Sequence, residues 1–167
     1  TKLTLFDTCC LLLALYLIAV RVYYVFSYNT NLEGVEFALV HFIQLICIKG
    51  NLYTDASQFP YLLIVHAPLY YYFMAAIMKL FAINVAEDIH TMYVIGRSIS
   101  FLLLFVNYFI LLKILQLFIL QFKYKIRLLL LLLLFIPAHF YACRPDSFKV
   151  LFFMLFLYSM IQSYKTN

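Results

Sequence analysis

The stretch Cys143-Arg144-Pro145-Asp146-Ser147 separates two very apolar runs, at residues 128–141 and 148–164. A bilayer offers about 30 Å of hydrocarbon, which a helix of roughly 20 apolar residues can cross. Both runs are slightly short for that length, so this Arg-Pro-Asp stretch (residues 143–147) is predicted to lie at a membrane surface. Charges at membrane depth are costly and commonly mark function. The alternative interpretation is a polar turn that only joins two helices.

The composition indicates an integral membrane protein. Of the 167 residues, 67% are hydrophobic and 11% are charged, whereas a soluble domain is about half apolar and about a quarter charged. The chain has no Trp but 15 Tyr, so Tyr is expected to supply the aromatic belt at the membrane interface. The basic residues are scattered apart from Lys123, Lys125 and Arg127, and no nucleic-acid partner is expected because such surfaces cluster their positive charge.

Four apolar runs are predicted as membrane spans, at 5–26, 92–120, 128–141 and 148–164. The basic loop at 123–127 is assigned to the cytoplasm by the positive-inside rule. The acidic Glu87-Asp88 and the Arg-Pro-Asp stretch then lie outside, as does the end of the first span. The segment between that span and Glu87 therefore crosses the membrane an even number of times. It holds a single apolar candidate, so we expect no crossing.

The predicted fold class is therefore all-α: a polytopic membrane protein with about four transmembrane helices and two interfacial helices. The chain is expected to be one domain, 1–167, with residues 28–91 as an outer loop that carries both interfacial helices. The first of these, 32–49, is predicted to be amphipathic, with Glu33, Glu36 and Gln44 near one face and Phe37, Leu45 and Ile48 among its apolar positions. Gly50 is its expected C-cap, and the second helix follows Pro68 over 69–82.

Short motifs follow this topology in a specific order. After the acids of the first outer helix come GNLYTD at 50–55, HAPLYYY at 66–72, KLF at 79–81, GRSIS at 96–100 and RPDS at 144–147. This order resembles the GT-C superfamily of polytopic glycosyltransferases. The similarity is greatest to the glycosyltransferase family 39 group, which holds the protein O-mannosyltransferases and the aminoarabinose transferase of lipid A, and it covers about residues 31–148.

The chain departs from the family pattern in two ways. The family carries an Asp-Glu pair on the first outer helix, and here Val35 takes the Asp position before Glu36, with Glu33 one turn away. Family members are also longer and have more spans. The chain therefore resembles the N-terminal part of such an enzyme, and the isolated 167-residue piece is expected to be inactive.

The resemblance implies transfer of a sugar from a polyprenyl-phosphate donor to a glycan, lipid or protein acceptor. A carboxylate can take the acceptor's proton as general base, and positive charge or a metal ion can stabilise the leaving phosphate. The implied base is Glu36 or Glu33. Asp146 would orient the acceptor or hold a divalent cation, and Arg144 and Arg97 would bind the lipid phosphate, because a guanidinium matches phosphate oxygens.

Four further residues are expected to contact substrate: Tyr53, Asp55, His66 and Tyr70. Three of them also have a purely structural interpretation: Asp55 caps a turn, His66 lies at headgroup depth, and Tyr70 belongs to the aromatic belt. Glu33 and Glu36 have one as well, since they can form the wet face of an interfacial helix.

Two other functions stay open at this level: a non-catalytic or degenerate membrane scaffold, and a fragment of a transporter. Transporter sites usually lie near the bilayer midplane on broken helices, whereas the acids here cluster outside, and Asn107 and Lys113 are isolated polar residues within a span. Further spans encoded downstream would favour the enzyme. The resemblance favours the inner membrane of a bacterium, with the site on its extracytoplasmic face among membrane lipids.

Overall fold

The computed structural model describes residues 5–27, 36–52, 68–118 and 142–166. These ranges contain five helices, α1 (Leu5–Phe26), α2 (Glu36–Lys49), α3 (Leu69–Leu80), α4 (Ile89–Leu117) and α5 (Asp146–Thr166). No strand occurs within them. The all-α prediction is therefore confirmed for the part of the chain that the structure describes.

Three of the helices, α1, α4 and α5, are long and apolar enough to cross a membrane. They correspond to the predicted spans 5–26, 92–120 and 148–164, and the predicted span 128–141 lies outside the described residues. Helix α4 begins three residues earlier than predicted because Asp88 caps it, its side chain accepting the Thr91 N–H at 3.0 Å. Helix α5 begins at Asp146 itself, so this carboxylate belongs to the first turn of a helix.

Helices α1 and α4 run antiparallel. Near the start of α4, Arg97 Nη1 donates to the carbonyl oxygens of Tyr24 and Ser27 at the end of α1, at 3.4 and 3.2 Å. Further along α4, Tyr108 interacts electrostatically with Arg21. The end of α1 and the start of α4 therefore share one end of the bundle, as the prediction of a common side for residues 28 and 87 requires.

Helices α4 and α5 run parallel. Asn107 Nδ2 donates to the Ser147 carbonyl oxygen in the first turn of α5, at 2.9 Å. At the other end of α5, Lys165 Nζ donates to the Leu117 carbonyl oxygen. If residues 128–141 form the predicted span, the chain recrosses the membrane between α4 and α5, and these two helices must then run parallel.

Helices α2 and α3 pack against each other and against the start of α4. The contact between α2 and α3 forms a hydrophobic core at this end of the molecule. Cys143 and the α4 residues Met92 and Tyr93 also belong to this core. Gly50 adopts φ +75° and its N–H donates to the Ile46 carbonyl oxygen at 2.9 Å, which confirms the predicted C-cap of α2. Helix α3 starts after Pro68 as predicted and ends at Leu80, two residues early, before Ala82 at φ 51°.

The predicted wet face of α2 is wrong at Glu36, which is fully buried. Of the predicted apolar positions, Leu45 packs against the core, whereas Phe37 and Ile48 are 61% and 64% exposed on the surface of the protein. The pattern treats every carboxylate as solvent-seeking, but the charge of Glu36 is balanced by a buried arginine, so its side chain can turn inward. The interfacial placement of α2 and α3 stays a prediction.

Candidate functional site

Glu36 and Arg97 form a bidentate ion pair at the shared end of the helices. Arg97 Nε donates to Glu36 Oε1 at 2.9 Å, and Arg97 Nη2 donates to Oε2 at 2.8 Å. Both side chains are 0% exposed. The remaining guanidinium nitrogen, Nη1, bonds the end of α1, and the Tyr93 ring lies 5.0 Å from the guanidinium carbon. Burying two charges costs free energy of desolvation. Here the bidentate geometry and the additional hydrogen bonds offset that cost.

The same carboxylate holds the Arg-Pro-Asp stretch. The backbone N–H of Cys143 donates to Glu36 Oε1 at 2.6 Å, across 107 residues of sequence. The next carbonyl oxygen, that of Arg144, accepts from Ser100 Oγ at 3.5 Å. Glu36 on α2 and Ser100 on α4 therefore fix the backbone from which Arg144 and Asp146 project.

Arg144, Asp146 and Lys149 form a partly exposed cluster at the start of α5. Arg144 Nε lies 3.2 Å from Asp146 Oδ2, and Lys149 Nζ lies 3.8 Å from Asp146 Oδ1. The three side chains are 19%, 25% and 52% exposed. Sequence reasoning missed Lys149, although its spacing of three residues after a helical acid is the signal of an ion pair on one helix face.

Tyr70 lies beneath the Arg-Pro-Asp stretch. Its hydroxyl is 3.6 Å from Cys143 Sγ, and its ring contacts Phe148 and Tyr71 edge-on. At 2% exposed, Tyr70 is packed inside the protein, so the interpretation as an interfacial belt residue is wrong for it. Its assignment as a substrate contact stays a prediction.

The Cys143 thiol is fully buried. Burial raises the pKa of Cys143 to about 12, and burial likewise raises the pKa of the Tyr70 hydroxyl well above its ordinary value. Since the thiolate is the nucleophilic form of cysteine, burial of this thiol slows its reactions.

A divalent cation at Asp146 stays a prediction. Hard cations such as Mg²⁺ and Ca²⁺ bind through several oxygen ligands. Within the described ranges no three His, Cys, Asp or Glu side chains come together, and Asp146 already has two cationic side chains beside it.

The structure brings five of the predicted site residues together: Glu36, Arg97, Arg144, Asp146 and Tyr70. The other four, Glu33, Tyr53, Asp55 and His66, lie outside the described residues. Comparison of the chain with protein-family models, curated proteins and solved structures finds no match.

Proposed function

We propose that this chain is the N-terminal part of a membrane glycosyltransferase that uses a polyprenyl-phosphate sugar as donor. The observation that supports it is the meeting of Glu36, Arg97 and the Arg-Pro-Asp stretch, which are separated by 61 and 107 residues in sequence. The described parts of motifs that resemble one enzyme group in order also pack together among apolar helices. Transfer at this site would take place on the extracytoplasmic face of a bacterial inner membrane.

In this proposal Glu36 and Arg97 position the site and do not touch substrate. A general base must lie within hydrogen-bond reach of the proton that it takes. Both Glu36 oxygens already accept hydrogen bonds, and all three guanidinium nitrogens of Arg97 donate them. Because neither side chain is exposed, the roles first assigned to them pass to other residues.

Asp146 is the described carboxylate that we assign to the acceptor. It is 25% exposed and lies in the first turn of α5. An acceptor hydroxyl or amine that reaches this carboxylate could be oriented by it or give up its proton to it. Glu33, outside the described residues, is retained as the second candidate for the base.

Arg144 and Lys149 are assigned to the donor phosphate. Both are partly exposed cations at the N-terminal end of α5, where the helix dipole also favours negative charge. The leaving polyprenyl phosphate gains charge as the sugar departs, so cations placed at this point stabilise the transition state. Asp146 lies between them and keeps their separation small when no anion is bound.

The test is sugar transfer by the full-length protein in proteoliposomes. A panel of radiolabelled polyprenyl-phosphate hexoses and pentoses is supplied, and label is followed from the donor into glycan, lipid or protein fractions. Asp146→Asn keeps the size of the side chain and removes its charge, so transfer should fall by about 10²- to 10⁴-fold. Arg144→Ala should raise the KM for the donor. Ser159→Ala, on an exposed part of α5, is the control.

A non-catalytic scaffold is the second candidate. The full occupation of Glu36 and Arg97 by each other and by backbone groups favours it, since a scaffold needs such a pair and needs no open carboxylate. Wild-type transfer by Asp146→Asn, at matched expression, would contradict the enzyme assignment of this residue. Absence of transfer from every donor would favour the scaffold.

A further inference from the structure

We propose that Gly96 and Cys143 form a size-matched contact that sets the position of Arg144 and Asp146. Both would then be positioning residues for the transfer reaction, and in that respect the inference rests on the proposed function. The contact joins the first part of α4 to the residue that precedes the charged cluster.

Gly96 is the point of closest approach between these two segments. A Cβ built on Gly96 would overlap Cys143 Sγ and would lie 3.0 Å from Cys143 Cβ. Glycine is less favourable than alanine inside a helix, so its presence in α4 calls for a local reason. The close approach of the Cys143 side chain supplies that reason.

Cys143 has no room to retreat from a larger residue at position 96. It is 0% exposed, its N–H is held by Glu36 Oε1 at 2.6 Å, and its Sγ faces the Tyr70 hydroxyl at 3.6 Å. A methyl group at position 96 must displace Cys143 Sγ, and its approach of 3.0 Å to Cys143 Cβ would also press on the backbone of residue 143.

The displacement would be passed directly to the charged cluster. Arg144 is the next residue, and its carbonyl oxygen is held by Ser100, one turn along α4 from Gly96. Asp146 begins α5 two residues later. In enzymes a misplacement of about 1 Å can lower the rate by about 10²-fold, so a small shift at Cys143 is enough to be measured.

The central experiment is a rescue series in the full-length protein. Gly96→Ala should lower transfer by about 10²-fold. Added to Gly96→Ala, Cys143→Ala removes the overlapping Sγ and should restore part of the rate. Cys143→Gly also removes the Cβ and should restore it further, up to the rate of Cys143→Gly alone. A general structural role would not produce recovery, because two damaging substitutions would then add their losses.

Gly50→Ala is the matched control. It adds the same methyl group, but nothing lies within 4 Å of that position, and the substitution acts through the positive φ of Gly50. Cys143→Gly should leave the effect of Gly50→Ala unchanged. Rescue of both glycine variants to the same extent would overturn the size-matched contact.

A second measurement does not depend on activity. In a variant with Cys9, Cys10 and Cys47 replaced by Ala, alkylation by N-ethylmaleimide reports on Cys143 alone. The buried thiol should react slowly, and Gly96→Ala should speed the reaction by about tenfold through local opening. The yield of folded protein in the membrane is recorded for the same series. If Gly96→Ala fails to insert, its yield is compared with the yields of the double variants that carry Cys143→Ala or Cys143→Gly.

The two measurements separate the two proposals. If no donor supports transfer but Gly96→Ala accelerates alkylation, the proposed function fails and the contact is supported. If transfer is observed but Gly96→Ala leaves both rates at the wild-type level, the inference is wrong and the proposed function stands. Additive losses in the rescue series, with unchanged alkylation, also overturn the inference.

Discussion

Single residues decide how the shared end of the helices is held, and the pair of Glu36 and Arg97 is foremost among them. Its two hydrogen bonds of 2.9 and 2.8 Å are fully buried. Arg97 reaches from α4 to α1 and α2, and Glu36 reaches onward to Cys143. Loss of either partner would leave an uncompensated buried charge, so three elements and the Arg-Pro-Asp stretch depend on the pair.

Glu36→Ala should therefore lower the free energy of unfolding by about 3–5 kcal/mol, the range typical of breaking a buried ion pair. The measurement is reversible unfolding in mixed detergent micelles. The double variant Glu36→Leu/Arg97→Met, which replaces both charges by apolar groups of similar size, should recover most of the loss.

Lys149→Met is the control for this measurement. It breaks an ion pair of 3.8 Å whose lysine is half-exposed, and such pairs contribute about 0–1 kcal/mol. If Glu36→Ala cost no more than Lys149→Met, the central role of the buried pair would be contradicted.

At the scale of elements, the N-terminus of α4 depends on Asp88. Its carboxylate accepts from the Thr91 hydroxyl at 2.6 Å and from the Thr91 N–H at 3.0 Å. These two bonds, the hydroxyl bond first, hold the pKa of Asp88 below its ordinary value. A depressed carboxyl pKa adds stability above the unfolded pKa of about 3.9, and that contribution is lost as the pH falls through the folded pKa.

Asp88→Asn should remove this pH dependence, because an amide oxygen can still cap the helix but does not titrate. As the pH falls from about 6 to about 3, the Tm of the wild type should decrease relative to the Tm of Asp88→Asn. Melting of both proteins in one detergent across that range measures it. A difference that stays constant with pH would show that the cap does not act through the charge of Asp88.

The contact between α4 and α5 depends in part on one buried polar residue. Asn107 is 5% exposed, and its Nδ2 donates to the Ser147 carbonyl oxygen at 2.9 Å. Asn107→Leu keeps a similar volume and removes the hydrogen bond, so the free energy of unfolding should fall by about 1 kcal/mol.

Ser159→Ala is the matched comparison for Asn107→Leu in the same unfolding assay. The Ser159 hydroxyl bonds the Leu155 carbonyl oxygen of its own helix at an exposed position. Its removal should change the free energy of unfolding by less than about 0.5 kcal/mol. Equal effects of the two substitutions would mean that the bond from Asn107 adds nothing to the helix contact.

On the scale of the whole molecule, helix directions make a prediction about topology. Because α1 and α4 are antiparallel and α4 and α5 parallel, the N-termini of α4 and α5 point toward the same end of the bundle, and residue 165 lies toward the other end. In a membrane, positions 88 and 149 should therefore face one side and position 165 the opposite side.

Single cysteines at Asp88, Lys149 and Lys165, all exposed positions, test this in intact cells. The other exposed or half-buried cysteines, Cys9, Cys10 and Cys47, are replaced by Ala. A membrane-impermeant maleimide should label 88 and 149 from outside, and 165 only after the cells are permeabilised. Labelling of 149 and 165 from the same side would contradict the arrangement.

Composition and hydropathy predict the helical class of the protein and the positions of α1, α4 and α5. These three apolar runs and the Gly50 cap are predicted correctly, because hydropathy over about 20 residues and the conformational freedom of glycine are local properties. The start of α4 was read three residues late, since a cap depends on one side chain and not on the average over a run.

Which side chains meet depends on how the helices pack. Glu36 turns inward through a contact across 61 residues and holds Cys143 through a contact across 107 residues. Gly96 leaves room for the side chain of Cys143, which lies far from it in the sequence. No local average contains such a pair. A carboxylate seeks water until a partner balances its charge, and the partner is brought to it only when the helices pack.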